Sequence, residues 1–352
     1  MGLKARADPS LTAEKARDSV STTPNNLPMP QRIGIAAGAG IAAALLFAVA
    51  AKGTMLALFL AYLAPLPIFI VALGWGLDVG AIACVVAGLA AGAAIEPASG
   101  ALFVVTIGLP AWILSFVAAV SRDRLFSRSA TGATAGIAVG TIVAVAAAIG
   151  AAMGVAALIA LVGYYGGYDK GIQGLAAEFT PDLKTAANEV MTLPAGYSVE
   201  EFAALIVRLS PAAIAISTLL MLCANLYIAA RSVQLSHRLK RPWPNLPESL
   251  VLPKALGAAL IGAIALCFVL PSPTFQLAWI ASGALGAAYV LQGLAVLHSV
   301  SRGLPARTAL LAGLYLGSLI TFRWSMPILI LVGLLESLLS LRSRRAAADV
   351  KP

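Results

Sequence analysis

Apolar runs of bilayer length recur from one end of this chain to the other, and no other feature narrows its possible folds so far. They cover about 33–51, 55–77, 79–95, 101–121, 135–165, 203–230, 255–271, 275–298, 306–322 and 325–341. At ~1.5 Å of rise per residue, some 20 helical residues cross a ~30 Å hydrocarbon core. Inside that core every backbone N–H and C=O must be met within the chain, which leaves helices as the expected element. Composition agrees, because 60% of the 352 residues are hydrophobic and only 11% are charged. Soluble domains carry about a quarter charged residues. The expected fold is all-α, a polytopic transmembrane helical bundle of about ten spans. The third, ninth and tenth runs are short, and 79–95 reads as a full span or as a tilted or re-entrant one.

Charge placement gives the expected orientation. The net charge is +9, with 24 Lys and Arg residues. All but Lys52, Lys170, Lys184, Arg208 and Arg323 fall in tails and loops that share one side when the N-terminus is cytoplasmic. Basic loops stay in the cytoplasm, so both termini are expected there. Short basic clusters at helix ends suit topology and lipid headgroups, which argues against nucleic acid as a partner. Residues 1–31 read as a disordered cytoplasmic tail, 32–345 as the transmembrane domain and 346–352 as a second cytoplasmic tail. The first run ends in an A-x-A pattern (Ala48, Ala50). The long tail before it and its own length mark a retained span rather than a cleaved leader.

The run 60–76, "LAYLAPLPIFIVALGWG", carries Pro65 and Pro67 near its middle. In a regular helix their N–H groups would bond the carbonyls of Ala61 and Leu63. Neither proline has an N–H, so both carbonyls need another partner, from protein or from water in a cavity. Two readings follow. A broken helix at mid-depth can build a binding site, as transporters do; or the break is a kink that shapes packing, its carbonyls met by neighbouring hydroxyls. Gly108 and Pro110 in "TIGLPAWIL" form a second weak point. If the two face each other they frame one cavity, with Tyr62, Trp75, Pro110, Trp112 and Asn225 as candidate ligand-binding residues beside Pro65 and Pro67. Ser217 and Gln292 could likewise bond across helices or line a pocket.

The segment 166–201 is an acidic external loop in this topology. Its apolar residues Ile172, Leu175, Phe179, Leu183, Ala187 and Val190 recur at helical spacing, interrupted at Pro181. Ser198 and Glu201 match the S-x-x-E capping box that opens a helix, and Pro211 lies further along it as an expected kink. The segment reads as interfacial helices on the outer leaflet or as a lid over an outward cavity. GxxxG spacings at Gly34/Gly38, Gly76/Gly80, Gly88/Gly92, Gly136/Gly140, Gly150/Gly154 and Gly313/Gly317 let helix backbones approach closely in lipid.

Few ionisable residues reach membrane depth. Glu96 belongs to an outer turn, Asp78 to the inner interface, and Glu336 in "GLLESLLSLRSRR" is the most embedded. Glu336 is expected either to pair with a basic residue of another inner loop or to serve as a proton- or cation-coupling carboxylate, and it joins the candidate ligand-binding residues. Cys84, Cys223 and Cys267 fall in apolar runs without a CxxC pair, and His237 and His298 have no ligand-type neighbour at metal spacing. No HExxH, GxSxG or P-loop is present. No catalytic residue, metal or cofactor is therefore expected, and the chain reads as a non-enzyme.

The block Leu60–Gly76 with its Pro-Leu-Pro core, and the closing Gly333–Arg345, resemble the YybS-like bacterial multi-pass membrane proteins, a family of unknown function. That family is distantly similar to the S-components of energy-coupling-factor vitamin transporters. The resemblance implies a cytoplasmic (inner) membrane location, a vitamin-like small organic solute, and a transport ATPase with its coupling subunit as partner. A non-transporting scaffold is the alternative, docking a cytoplasmic partner through basic inner loops such as 231–248.

Overall fold

The computed structural model describes residues 27–127, 135–189, 193–194, 196–239 and 243–342. Most of the tail expected over 1–31, and the one over 346–352, lie outside them. Among the described residues the regular structure is helical: α1 Met29–Ala48, α2 Met55–Tyr62, α3 Leu66–Gly74, α4 Leu77–Ala94, α5 Pro97–Phe103, α6 Leu109–Ser127, α7 Ala135–Tyr165, α8 Tyr168–Glu189, α9 Val199–Leu235, α10 Leu246–Ser249, α11 Lys254–Val269, α12 Phe275–Val300, α13 Arg307–Ile320 and α14 Phe322–Leu339. A tight turn extends α1 to Lys52, and a wide π-turn at Val104–Gly108 joins α5 to α6.

Eight helices or joined helix pairs among the described residues are long and apolar enough to cross a membrane, including 77–94. The other two expected spans form α11 and α13, of 16 and 14 residues. At ~1.5 Å per residue these reach about 24 and 21 Å, less than a ~30 Å core.

The chain divides into two compact units, residues 1–115 with 225–242, and residues 116–224 with 243–352. In the first unit α4 is central. Gly40 of α1 sits on α4, where an added Cβ would lie 2.7 Å from the Ala83 carbonyl and 2.8 Å from Val86 Cβ. Gly80 meets Ala72 of α3, and Gly88 meets Val104 and Gly100 on the α5 side. In the second unit α12 takes the central place. Gly293 of α12 lies against the Leu329 backbone of α14, and Gly333 of α14 against the Tyr289 carbonyl of α12. Gly150 and Gly154 of α7 lie against Ala215 and Pro211 of α9. Close backbone approach at small residues is how helices gain contact where lipid offers no hydrophobic drive between them.

Three local expectations meet the structure differently. The capping box forms at the start of α9: the Ser198 N–H donates to Glu201 Oε2 at 2.9 Å, and the Glu201 N–H to Ser198 Oγ at 3.2 Å. Pro181, expected to interrupt the amphipathic period, instead lies inside the continuous α8. Pro181 and Ala177, whose carbonyl its missing N–H would have served, are both exposed, so water can meet the freed oxygen. α9 likewise runs on through Pro211, because the Ser210 hydroxyl donates to the orphaned Val207 carbonyl at 2.9 Å.

Candidate functional site

The helix over 55–74 is broken where its two prolines stand. α2 ends at Tyr62, and Leu63–Pro65 form a tight turn before α3. The carbonyls of Ala61 and Leu63, expected to be orphaned, are not. Ala61 accepts from the Ala64 N–H and Leu63 from the Leu66 N–H, each three residues on and each at 3.0 Å. Shortening the turn therefore moves the loss to Tyr62, whose regular donor, Leu66, is now committed elsewhere. The Tyr62 carbonyl accepts instead from Asn225 Nδ2 of α9 at 2.8 Å. Asn225 is 2% exposed, and the sequence separation of 163 residues makes this amide a long-range brace for the break.

The second weak point is real too. The Leu109 N–H reaches back five residues to the Val104 carbonyl, which is the π-turn, and Pro110 follows directly. Such turns are common at functional sites. Ala72 opposes Gly80 across α3 and α4, so an antiparallel register brings Ala64 and Pro65 level with residues 87–88 of α4. Gly88 in turn meets Val104. Both irregular stretches thus flank α4 at one level. The side chains there are buried: Ala64, Ile68, Phe69 and Phe103 have no exposed surface. The Phe103 ring meets Phe47 edge-on, with centroids 5.4 Å apart.

The remaining aromatic candidates lie further down the same unit, about 15 Å along the helix axis from Pro65 to Trp75. The Trp112 indole N–H donates to the Leu77 carbonyl at 2.9 Å. Arg238 stacks over the Trp75 ring at 4.4 Å from its centroid, and Asp78, three residues beyond Trp75, pairs with Arg32 of α1. Tyr62, Pro65, Pro67 and Asn225 therefore form one cluster. Pro110 lies towards the tryptophan end, where Trp112 ties the start of α4 and Trp75 lies under Arg238.

Glu336 belongs to the other unit and to a separate network. It is 5% exposed, and both its oxygens accept from Arg342, Oε1 from Nε at 2.8 Å and Oε2 from the main-chain N–H at 3.2 Å. The partner expected on another inner loop is thus an arginine six residues on in the same segment, turned back through Ser340 at φ 50°. Arg342 also donates from Nη1 to the Pro247 carbonyl at 2.6 Å and from Nη2 to that of Leu250 at 2.7 Å. Gln292, 0% exposed, accepts from the Leu252 N–H and donates to the Gly333 carbonyl and Ser337 Oγ. The connection 247–252 is thereby pinned to α12 and α14. Each oxygen of the buried carboxylate is thus met by its arginine, as a buried charge requires.

Among the polar pairs that sequence reasoning missed is Gln276 and Tyr168. Gln276 Nε2 donates to the Tyr168 hydroxyl at 2.6 Å. A glutamine at the second residue of an apolar helix was a usable signal; its partner 108 residues away was not legible. Among the described residues no group of three or more His, Cys, Asp or Glu is placed to hold a metal ion.

The chain belongs to the family described as predicted membrane protein (DUF2232), whose model matches residues 41–337. No curated protein and no solved structure matches it. It is accordingly a multi-pass membrane protein whose family carries no established activity.

Proposed function

We propose that this protein binds a small organic solute within the bilayer, at the level where the Pro65/Pro67 break and the Val104–Gly108 turn flank α4. The observation that carries this reading is the Asn225 amide held on the Tyr62 carbonyl at 2.8 Å. A broken span whose backbone oxygen is met by one side chain of a distant helix is a polar point that a ligand can compete for. The reading is non-enzymatic. The resemblance of its Pro-Leu-Pro block and closing segment to the YybS-like family would extend this to a vitamin-like solute and an inner-membrane location. It also implies a coupled ATPase with a transmembrane subunit; co-purification of both would support that extension.

Solvent access tests the binding reading. With the three native cysteines replaced, Ala64→Cys and Ile68→Cys are probed with a small water-soluble thiol reagent. Both positions are fully buried, so reaction at both, with folding intact, means that the level opens to water as a binding site must. Protection at both positions sinks the reading and favours a scaffold. The scaffold reading has its own support in the basic segment 231–248, of which 240–242 lie outside the described residues. Arg302, just beyond α12, fastens the end of that segment by pairing with Glu248 and Asn245.

A further inference from the structure

A second polar site lies in the unit that the solute reading does not use. α7 ends at Tyr165, and the chain turns through Gly166 (φ 71°) and Gly167 (φ 155°) before Tyr168 opens α8. Positive φ of this kind is cheap for glycine alone. The turn lays the amphipathic α8 along the bundle, with Ile172 and Ala176 against Leu161 of α7 and Ala203 and Val207 of α9. Tyr168 packs against that cluster and also against a second one, Leu158, Ala215, Ile280 and Ala284. Its hydroxyl accepts from Gln276 Nε2 at 2.6 Å.

Gln276 is 1% exposed, yet its Oε1 meets no hydrogen-bond donor among the described residues. Buried side-chain polar atoms are nearly always matched, so an unmatched one asks for an explanation. The Tyr168 hydroxyl keeps its own proton to donate. Turning the glutamine amide over exchanges its two ends and leaves an N–H unmatched instead, with the tyrosine oxygen used as donor. One group completes either arrangement, because it both donates and accepts: a hydroxyl. The surroundings are apolar, which favours an uncharged partner over an ion; the exposed charges of α8, Asp169, Lys170, Glu178, Asp182 and Lys184, are of both signs.

We propose that Gln276 and Tyr168 bind the hydroxyl of a small uncharged alcohol or phenol, whose apolar body rests against Leu158, Leu161 and Ile280 beneath α8. The hinge at Gly166–Gly167 lets α8 lift to admit it. This makes α8 a cover over a site rather than a helix floating at the interface. The site shares no residue with the Asn225 cluster, so either can fail without the other.

The test uses the full chain in lipid nanodiscs and radiolabelled benzyl alcohol, with toluene as the matched probe lacking a hydroxyl and empty nanodiscs as the partition background. One saturable benzyl alcohol site per chain is expected above that background. Toluene should bind about tenfold or more weakly, since a site built to bond a hydroxyl rejects the analogue without one. Gln276→Leu and Tyr168→Phe should each remove most of the difference between the probes. Binding that merely follows lipid partition, equal affinity for the two probes, or full retention in Gln276→Leu would overturn the proposal; the last would leave water as the glutamine's partner. Should Gln276→Leu fail to fold, the comparison of the two probes on the wild-type chain decides alone.

Discussion

Arg342 illustrates how much one side chain can settle in a chain with so few charges. Its guanidinium and main-chain N–H serve the two oxygens of Glu336 and the carbonyls of Pro247 and Leu250. Its side chain is 10% exposed and that of Glu336 5%. Removing one member of a buried pair strands the other, at a cost of about 3–5 kcal/mol. Arg342→Ala should therefore destabilise the protein by about that much in mixed-micelle unfolding. Glu336→Gln combined with Arg342→Met should cost distinctly less, because no lone charge is left buried. Equal losses would show that Glu336 is not held as an ion. The sequence announced Glu336 as an embedded carboxylate with arginines after it. It did not say which arginine would answer, because the left-handed turn at Ser340 that brings Arg342 back is a matter of backbone geometry.

Helices show the same division. Where a motif is satisfied by its own neighbours, sequence reading succeeds: the Ser198/Glu201 box opens α9 as its spacing requires. Where partners are remote, spacing alone misleads. Of the GxxxG pairs, Gly150 and Gly154 touch α9, yet Gly34, Gly38, Gly313 and Gly317 have nothing within 4 Å of an added Cβ. Gly293, which no such pair contains, lies against the Leu329 backbone. Gly293→Val should accordingly cost about 1–3 kcal/mol through overpacking against atoms that cannot swing aside. Gly313→Val should leave stability in the same micelles unchanged to within about 0.5 kcal/mol. A neutral Gly293→Val would show that α12 and α14 are not so closely apposed. The prolines follow one rule at three sites. Pro211 is rescued by the adjacent Ser210, Pro181 by exposure, and the Pro65/Pro67 pair by the distant Asn225 amide and a tightened turn.

For the molecule as a whole, composition and run length are sufficient to demand a helical membrane protein, since a continuous apolar run of some 20 residues meets its own backbone hydrogen bonds only as a helix, whereas barrel strands are shorter and alternate in polarity. The distribution of Lys and Arg adds a prediction that belongs to this scale. Reporter fusions at the N- and C-termini should both be active with a cytoplasmic reporter and inactive with one that needs export; opposite results at the two ends would require an odd number of spans. Local order along the chain fixed the apolar runs, the capping box, the two weak points and the amphipathic α8, because each depends on residues within a few turns of one another. Only the tertiary structure decided which oxygen at the proline break is left over and that Asn225 answers it. It also decided that both breaks share one level of α4, that Glu336 closes on Arg342, and that Gln276 meets Tyr168. Those pairings join residues brought close by packing, and a one-dimensional pattern carries no record of which helix lies beside which.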